Sequence, residues 1–147
     1  MKRFKFSLAS VLVVREKKLV DEQTKLASVL KIYNKQKDDL SQTIALLDEI
    51  KTESESYLLE GDTNPTVISN YSSYIRKVQN DIKLQNEIIA KTREVLNNQQ
   101  NIVKEAYIKV KSLENLREKQ KEQYLKELQL EEIKEIDDIV NSRRNIA

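Results

Sequence analysis

Residues 68–143 read ISNYSSYIRKVQNDIKLQNEIIAKTREVLNNQQNIVKEAYIKVKSLENLREKQKEQYLKELQLEEIKEIDDIVNSR. The stretch holds no Pro and no Gly, the two residues that most often stop a helix. Its apolar side chains recur at helical spacing. One series keeps strict sevens: Ile68, Ile75, Ile82, Ile89, Leu96, Val103, Val110. A companion line runs Tyr71, Val78, Gln85, Thr92, Gln99, Ala106, Leu113. An unbroken helix of this extent would be roughly 110 Å long at ~1.5 Å per residue. An ordinary surface helix stops after a few turns, and a heptad series sustained this far predicts a coiled coil. Gln85, Thr92 and Gln99 make the middle of the companion line polar. Such positions fix register at a cost in stability, or mark where a partner competes.

The part of the chain before this stretch repeats the pattern. Leu12, Leu19, Leu26, Tyr33, Leu40, Leu47 and Ser54 lie seven apart. The second seam position is weaker: Arg15, Glu22, Val29, Gln36, Thr43, Ile50, Tyr57. Leu30, Ile44 and Leu58 are expected to widen the stripe. The first helix therefore spans about residues 8–59, roughly 75 Å. Phe4-Lys5-Phe6-Ser7-Leu8 precedes it as an extended lead-in, with Ser7 as a candidate N-cap.

Between the two periodic segments lies Glu60-Gly61-Asp62-Thr63-Asn64-Pro65, the one loop that the sequence predicts. Gly61 suits the left-handed end of a helix, and Pro65 the first position of the next, capped by Asn64. A turn this short makes the helices antiparallel neighbours; the alternative is two helices that pair only in an oligomer. The expected architecture is all-α, one domain over 1–147: helix, loop 60–65, and a second helix over about 66–143.

Closing the hairpin at 60–65 places Leu8 opposite roughly residue 117. The remainder of the second helix then has no intramolecular partner. This overhang is not polar all round. Leu125, Leu128, Ile133, Ile136, Ile139 and Val140 project onto one face about 140° wide, while Leu130 lies off it. Burying one such side chain is worth roughly 1.5–3 kcal/mol, so an unpartnered row marks a contact site. The two readings are a tip that docks into another protein and a frayed end or homodimer contact. Phe4, Phe6 and Leu8 form a second, weaker candidate contact.

Composition agrees with solvent-washed helices. Of 147 residues, 34% are charged and 39% apolar, with one Gly, one Pro, no Cys, no His and no Trp. Without Cys or His, thiol chemistry, disulfides and the usual metal sites are not expected. With one Gly, a phosphate-cradling loop is not expected either. Glu131-Glu132 and Asp137-Asp138 read as solvated carboxylates without a pocket to tune them. No enzyme and no cofactor are predicted. Residues 104–144 carry ten Lys/Arg against ten Asp/Glu, so no basic stripe for nucleic acid exists there. Charge is uneven elsewhere. Residues 1–18 carry six cationic side chains against Glu16, and residues 48–62 six carboxylates against Lys51. Phe4 and Phe6 among Lys2, Arg3 and Lys5 could brush an anionic membrane, but the segment is short for stable anchoring. No apolar block fits a signal peptide or a span, and the cytoplasm is the expected compartment. The tyrosines read mostly as seam or rim packing.

Two stretches resemble a known family. Phe4-Lys5-Phe6-Ser7-Leu8 with Val11-Leu12 and Arg15-Glu16 resembles the start of the FliJ family. Leu113-Glu114-Asn115-Leu116-Arg117-Glu118-Lys119-Gln120-Lys121-Glu122-Gln123-Tyr124 looks like that family's C-terminal signature. It continues in kind with Glu131-Glu132, Ile136-Asp137-Asp138-Ile139 and Arg143-Arg144. Length and the two-helix plan agree over nearly the whole chain. Asp138-Ile139 stands where the family often has a Glu-Leu ending. The resemblance implies a component of the flagellar type III export apparatus, active in flagellum biogenesis, motility and protein transport. It implies an antiparallel coiled coil like the central stalk subunit of rotary ATPases. Its expected partners are a ring of the export ATPase FliI, entered by the helical termini, the gate protein FlhA, and unladen export chaperones. It implies a protein peripheral to the inner membrane at the flagellar base. A monomer alone is expected. The stalk proteins of injectisome secretion systems share the hairpin plan, and a generic coiled-coil scaffold remains the other reading.

Overall fold

The computed structural model describes residues 2–61 and 63–146, the side chain of Ile146 excepted. Asp62 of the acidic segment lies outside the described residues. Two α-helices account for nearly all of the chain: α1, Ala9–Leu59, and α2, Pro65–Ile146. They form an antiparallel, all-α hairpin with extensive contacts between the helices. Contacts divide the chain into two units, Met1–Glu22 with Val103–Ala147, and Gln23–Ile102.

The Gln23–Ile102 unit contains the turn. Gly61 sits at φ 83°, a left-handed backbone that ends α1 without a Cβ clash. Three residues on, the Asn64 side-chain oxygen accepts a hydrogen bond from the Thr66 amide at 2.9 Å. The Asn64 carbonyl accepts from Ile68 at 3.1 Å, so Asn64 occupies the N-cap of α2. The Asn64 amide donates to the Tyr57 hydroxyl at 2.8 Å, and the Tyr57 ring meets Tyr71 at 6.0 Å. One tyrosine thus ties the end of α1 to the start of α2.

Further along this unit the seam is built from the two series of sevens. Ile50, Val78 and Leu96 are buried; Leu26, Tyr33, Leu40, Leu47, Ile75, Ile82 and Ile89 are half-buried. Leu30, Ile44 and Leu58 do not widen it: each is exposed. Two helices bury only the positions that face each other, and a flanking residue needs a third helix to be covered. The polar layer lies in the seam. Gln85 Nε2 donates to Thr43 Oγ1 at 3.0 Å, and the same hydroxyl donates to the Asp39 carbonyl at 3.0 Å.

In the other unit, Leu12, Ala106 and Val110 are buried, and Leu19, Val103 and Leu113 half-buried. Residue Leu8, not Ser7, occupies the position immediately before α1. Its carbonyl accepts the first helical bond, from Leu12 at 2.9 Å, while Ala9 donates to the Phe6 carbonyl at 3.1 Å. The lead-in continues along α2. Phe4 packs its ring against Tyr124, centroids 5.6 Å apart at 45°. Phe6 and Leu8 are half-buried.

Candidate functional site

The Met1–Glu22, Val103–Ala147 unit holds the C-terminal end of α2. The cover supplied by the lead-in reaches further than the helix lengths alone predict. Arg117, Tyr124 and Leu128 are all half-buried, so the unpartnered part starts after Leu128 rather than near 117. The reason is that residues before α1 also lie along α2, with Phe4 at Tyr124. From 129 to 145 every described side chain is exposed.

The residues singled out from sequence take these places. Leu125, Ile133, Ile136, Ile139 and Val140 are exposed, from 43% at Val140 to 60% at Ile136. Leu128 is half-buried and joins the end of the covered seam to the open face. Leu130 is exposed away from that face. Phe4, Phe6 and Leu8 are half-buried, and the Phe4 ring packs against Tyr124 of α2. Glu131, Glu135, Asp137 and Asp138 flank the open face, Glu132 falls within it between Leu128 and Ile136, and Arg143 and Arg144 occupy the last turn, where cations favour the negative end of the helix dipole. Among the described residues this end is an exposed amphipathic helix, a form suited to an apolar groove or channel.

Just below it, the Leu113–Tyr124 block is held by ordinary surface chemistry. Lys111 Nζ contacts Glu114 Oε2 at 3.1 Å and stands 5.5 Å from the Tyr107 ring centre. The Glu114 hydrogen bond, with the attraction of its charge, holds the Lys111 ammonium above its ordinary pKa. Lys111 is exposed and Glu114 half-buried, a surface pair on one helix that contributes little to stability. Among the described residues no cluster of Asp and Glu is placed to hold a metal ion.

Sequence reasoning missed a second surface, in the Gln23–Ile102 unit. Leu46 of α1 and Tyr74, Leu84 and Ile88 of α2 flank an open groove whose floor includes Thr43 and Gln85. All four apolar side chains are exposed. Lys77 and Asp81 sit on the same lining. The signal was present in the chain as a third series of sevens beside the two seam lines: Tyr74, Asp81, Ile88, Val95, Ile102. Its four apolar members are all exposed. This third row of apolar residues lies outside the two-helix seam and is exposed.

A hairpin with a thin two-helix seam and exposed apolar side chains beside it belongs to the class of all-α coiled-coil proteins. A family model described as Flagellar FliJ protein matches residues 4–145. The chain belongs to this family, whose members serve the flagellar type III export apparatus and are not enzymes. Comparison with curated proteins and with solved structures returns no match. No described helix is long and apolar enough to cross a membrane.

Proposed function

We propose that the protein acts as a stalk for the export ATPase FliI, with its helical termini inside the ATPase ring. It promotes ring assembly and turnover there, links the ring to the gate protein FlhA, and hands on unladen export chaperones. The observation that carries this reading is the open face of α2: Leu125, Ile133, Ile136, Ile139 and Val140 are exposed on a helix end that no other part of the chain covers. Burial of five such side chains in a ring supplies several kcal/mol of docking free energy, at about 1.5–3 kcal/mol for each one fully covered. The groove at Leu46, Tyr74, Leu84 and Ile88 supports a separate contact, assigned in this proposal to the gate. A generic scaffold that dimerises through the α2 end is the rival, and it rests on the same open face.

ATP turnover by the cognate ATPase, with graded additions of this protein and light scattering on the mixture, tests the proposal. Wild type raises turnover several-fold and yields ring-sized particles. Ile133→Glu with Ile136→Glu abolishes both effects without changing the helix content. Leu84→Glu with Ile88→Glu leaves them intact and loses the gate. Normal stimulation by the Ile133/Ile136 variant would remove the tip from the mechanism. A wild-type dimer that this variant dissociates, with no ATPase effect at all, would establish the scaffold instead.

A further inference from the structure

The first turns of α1 carry apolar residues on the side facing away from the seam. Leu12 is 3% exposed against α2, whereas Val13 and Val14 are 63% and 66% exposed. Val11 and Val20 are exposed as well. Valine is one of the weaker helix formers, and Ala, Lys or Glu would hold a solvated helix face better. Four exposed valines within ten residues are therefore not explained by helix formation or by the hairpin seam.

The charge around them is one-sided. Lys2, Arg3, Lys5, Lys17 and Lys18 are exposed and Arg15 half-buried. The carboxylates nearby are Glu16, Asp21 and the half-buried Glu22. Val11 and Val14 share one shallow groove with Arg15 and Lys18, so cationic heads and methyl groups present together. Lysine and arginine stems can lie along apolar surface while their heads reach outward to anionic groups. Phe4 packs against Tyr124 of α2 and is not needed for this face.

We propose that the outward face of α1 over residues 10–20, with the basic lead-in, docks reversibly on an anionic lipid surface. Two features favour lipid over a folded acidic partner. The face is a convex stretch of single helix, which fits a planar interface. Its apolar content is spread between cations, as in helices that lie in the headgroup layer. Each cation near an anionic bilayer adds attraction, and four valines alone are too little for stable anchoring, so the contact is weak and salt-sensitive. The inference rests on α1 and the ATPase reading on the end of α2; lipid docking and entry of the helical termini into the ring are alternative engagements of this unit, and the vesicle assay, run without the ATPase, reads the first alone.

Sedimentation of the full chain with vesicles tests it. Phosphatidylglycerol–phosphatidylethanolamine vesicles should bind the protein at low salt at least about tenfold more strongly than phosphatidylcholine vesicles. K17E/K18E should lower binding by about tenfold or more. V13S/V14S should lower it about threefold or more, since methyl burial contributes. Circular dichroism on both variants controls for folding; all four side chains point away from the seam, so helix content is unchanged. Three outcomes overturn the proposal: no binding to anionic vesicles, equal binding to neutral ones, or full binding by V13S/V14S. The last would reduce the contact to bare charge. A fourth also overturns it: soluble polyglutamate bound as tightly as the vesicles, with the same valine dependence, would make the partner an acidic protein.

Discussion

Gly61 is the residue on which the turn depends. Its φ of 83° lies in the left-handed region, and a Cβ added there would meet nothing within 4 Å. Any cost of substitution is therefore conformational and not steric contact with neighbours. Gly61→Ala should destabilise the hairpin by about 1 kcal/mol, and Gly61→Asn by less, because Asn tolerates this backbone better. Thermal unfolding followed by circular dichroism measures both. An Ala variant as stable as wild type would mean that the turn relaxes to another conformation. The neighbouring Tyr57 works differently: its hydroxyl accepts from the Asn64 amide while its ring stands against Tyr71, so hydrogen bonding and packing meet in one side chain.

At the scale of the helices, the polar layer shows how a seam can be specific without being strong. Thr43 Oγ1 has one proton, and it goes to the Asp39 carbonyl. The hydroxyl must then accept from Gln85, which turns the amide nitrogen toward Thr43 and leaves Gln85 Oε1 buried without a hydrogen-bond partner. Gln36 Oε1 is buried and unpartnered too. A buried acceptor in this condition costs about 1–3 kcal/mol. The double variant Thr43→Val, Gln85→Leu should raise the unfolding midpoint and loosen register. A short bis-maleimide reads the register: Tyr57→Cys with Tyr71→Cys links in the native alignment, and Tyr57→Cys with Val78→Cys after a one-heptad slip. In the apolar background the slipped pair should gain yield. If it gains none, the apolar seam and the Phe4 contact with Tyr124 fix the register without the polar layer.

The two seam lines were legible in the chain because every member from Leu12 to Tyr57 and from Ile68 to Leu113 is buried or half-buried. Burial in a two-helix seam follows from spacing alone, and no distant part of the chain competes for those positions. Leu30, Ile44 and Leu58 were not legible as exposed, because hydrophobicity says that a residue can be covered and not that a third helix exists to cover it. The reach of Phe4 to Tyr124 was hidden for a related reason: an extended lead-in has no periodicity, so nothing in its pattern sets where its aromatic ring lands. The groove at Tyr74 and Ile88 was present as a third series of sevens but sat beside two stronger ones.

For the molecule as a whole, the division between folding and binding can be tested by cutting. After Leu128 no described side chain up to 145 is even half-buried, so the final residues contribute little to the seam. A chain that stops after Gln129 loses surface positions, each worth within about 0.5 kcal/mol. Its unfolding midpoint should stay within a few degrees of the full chain, although the helical signal falls with the shorter α2. The same cut removes Ile133, Ile136, Ile139 and Val140 and should end stimulation of the export ATPase. The proposed function thus predicts that stability and function separate along α2 near Leu128: the seam heptads before it are buried or half-buried, and the apolar row after it is exposed. A truncated chain that melts far lower would show that the end is packed in the free protein, against a second copy. A truncated chain that melts as before and still stimulates the ATPase would move docking to the covered part of the hairpin, where the groove between Leu46 and Tyr74 becomes the next surface to charge.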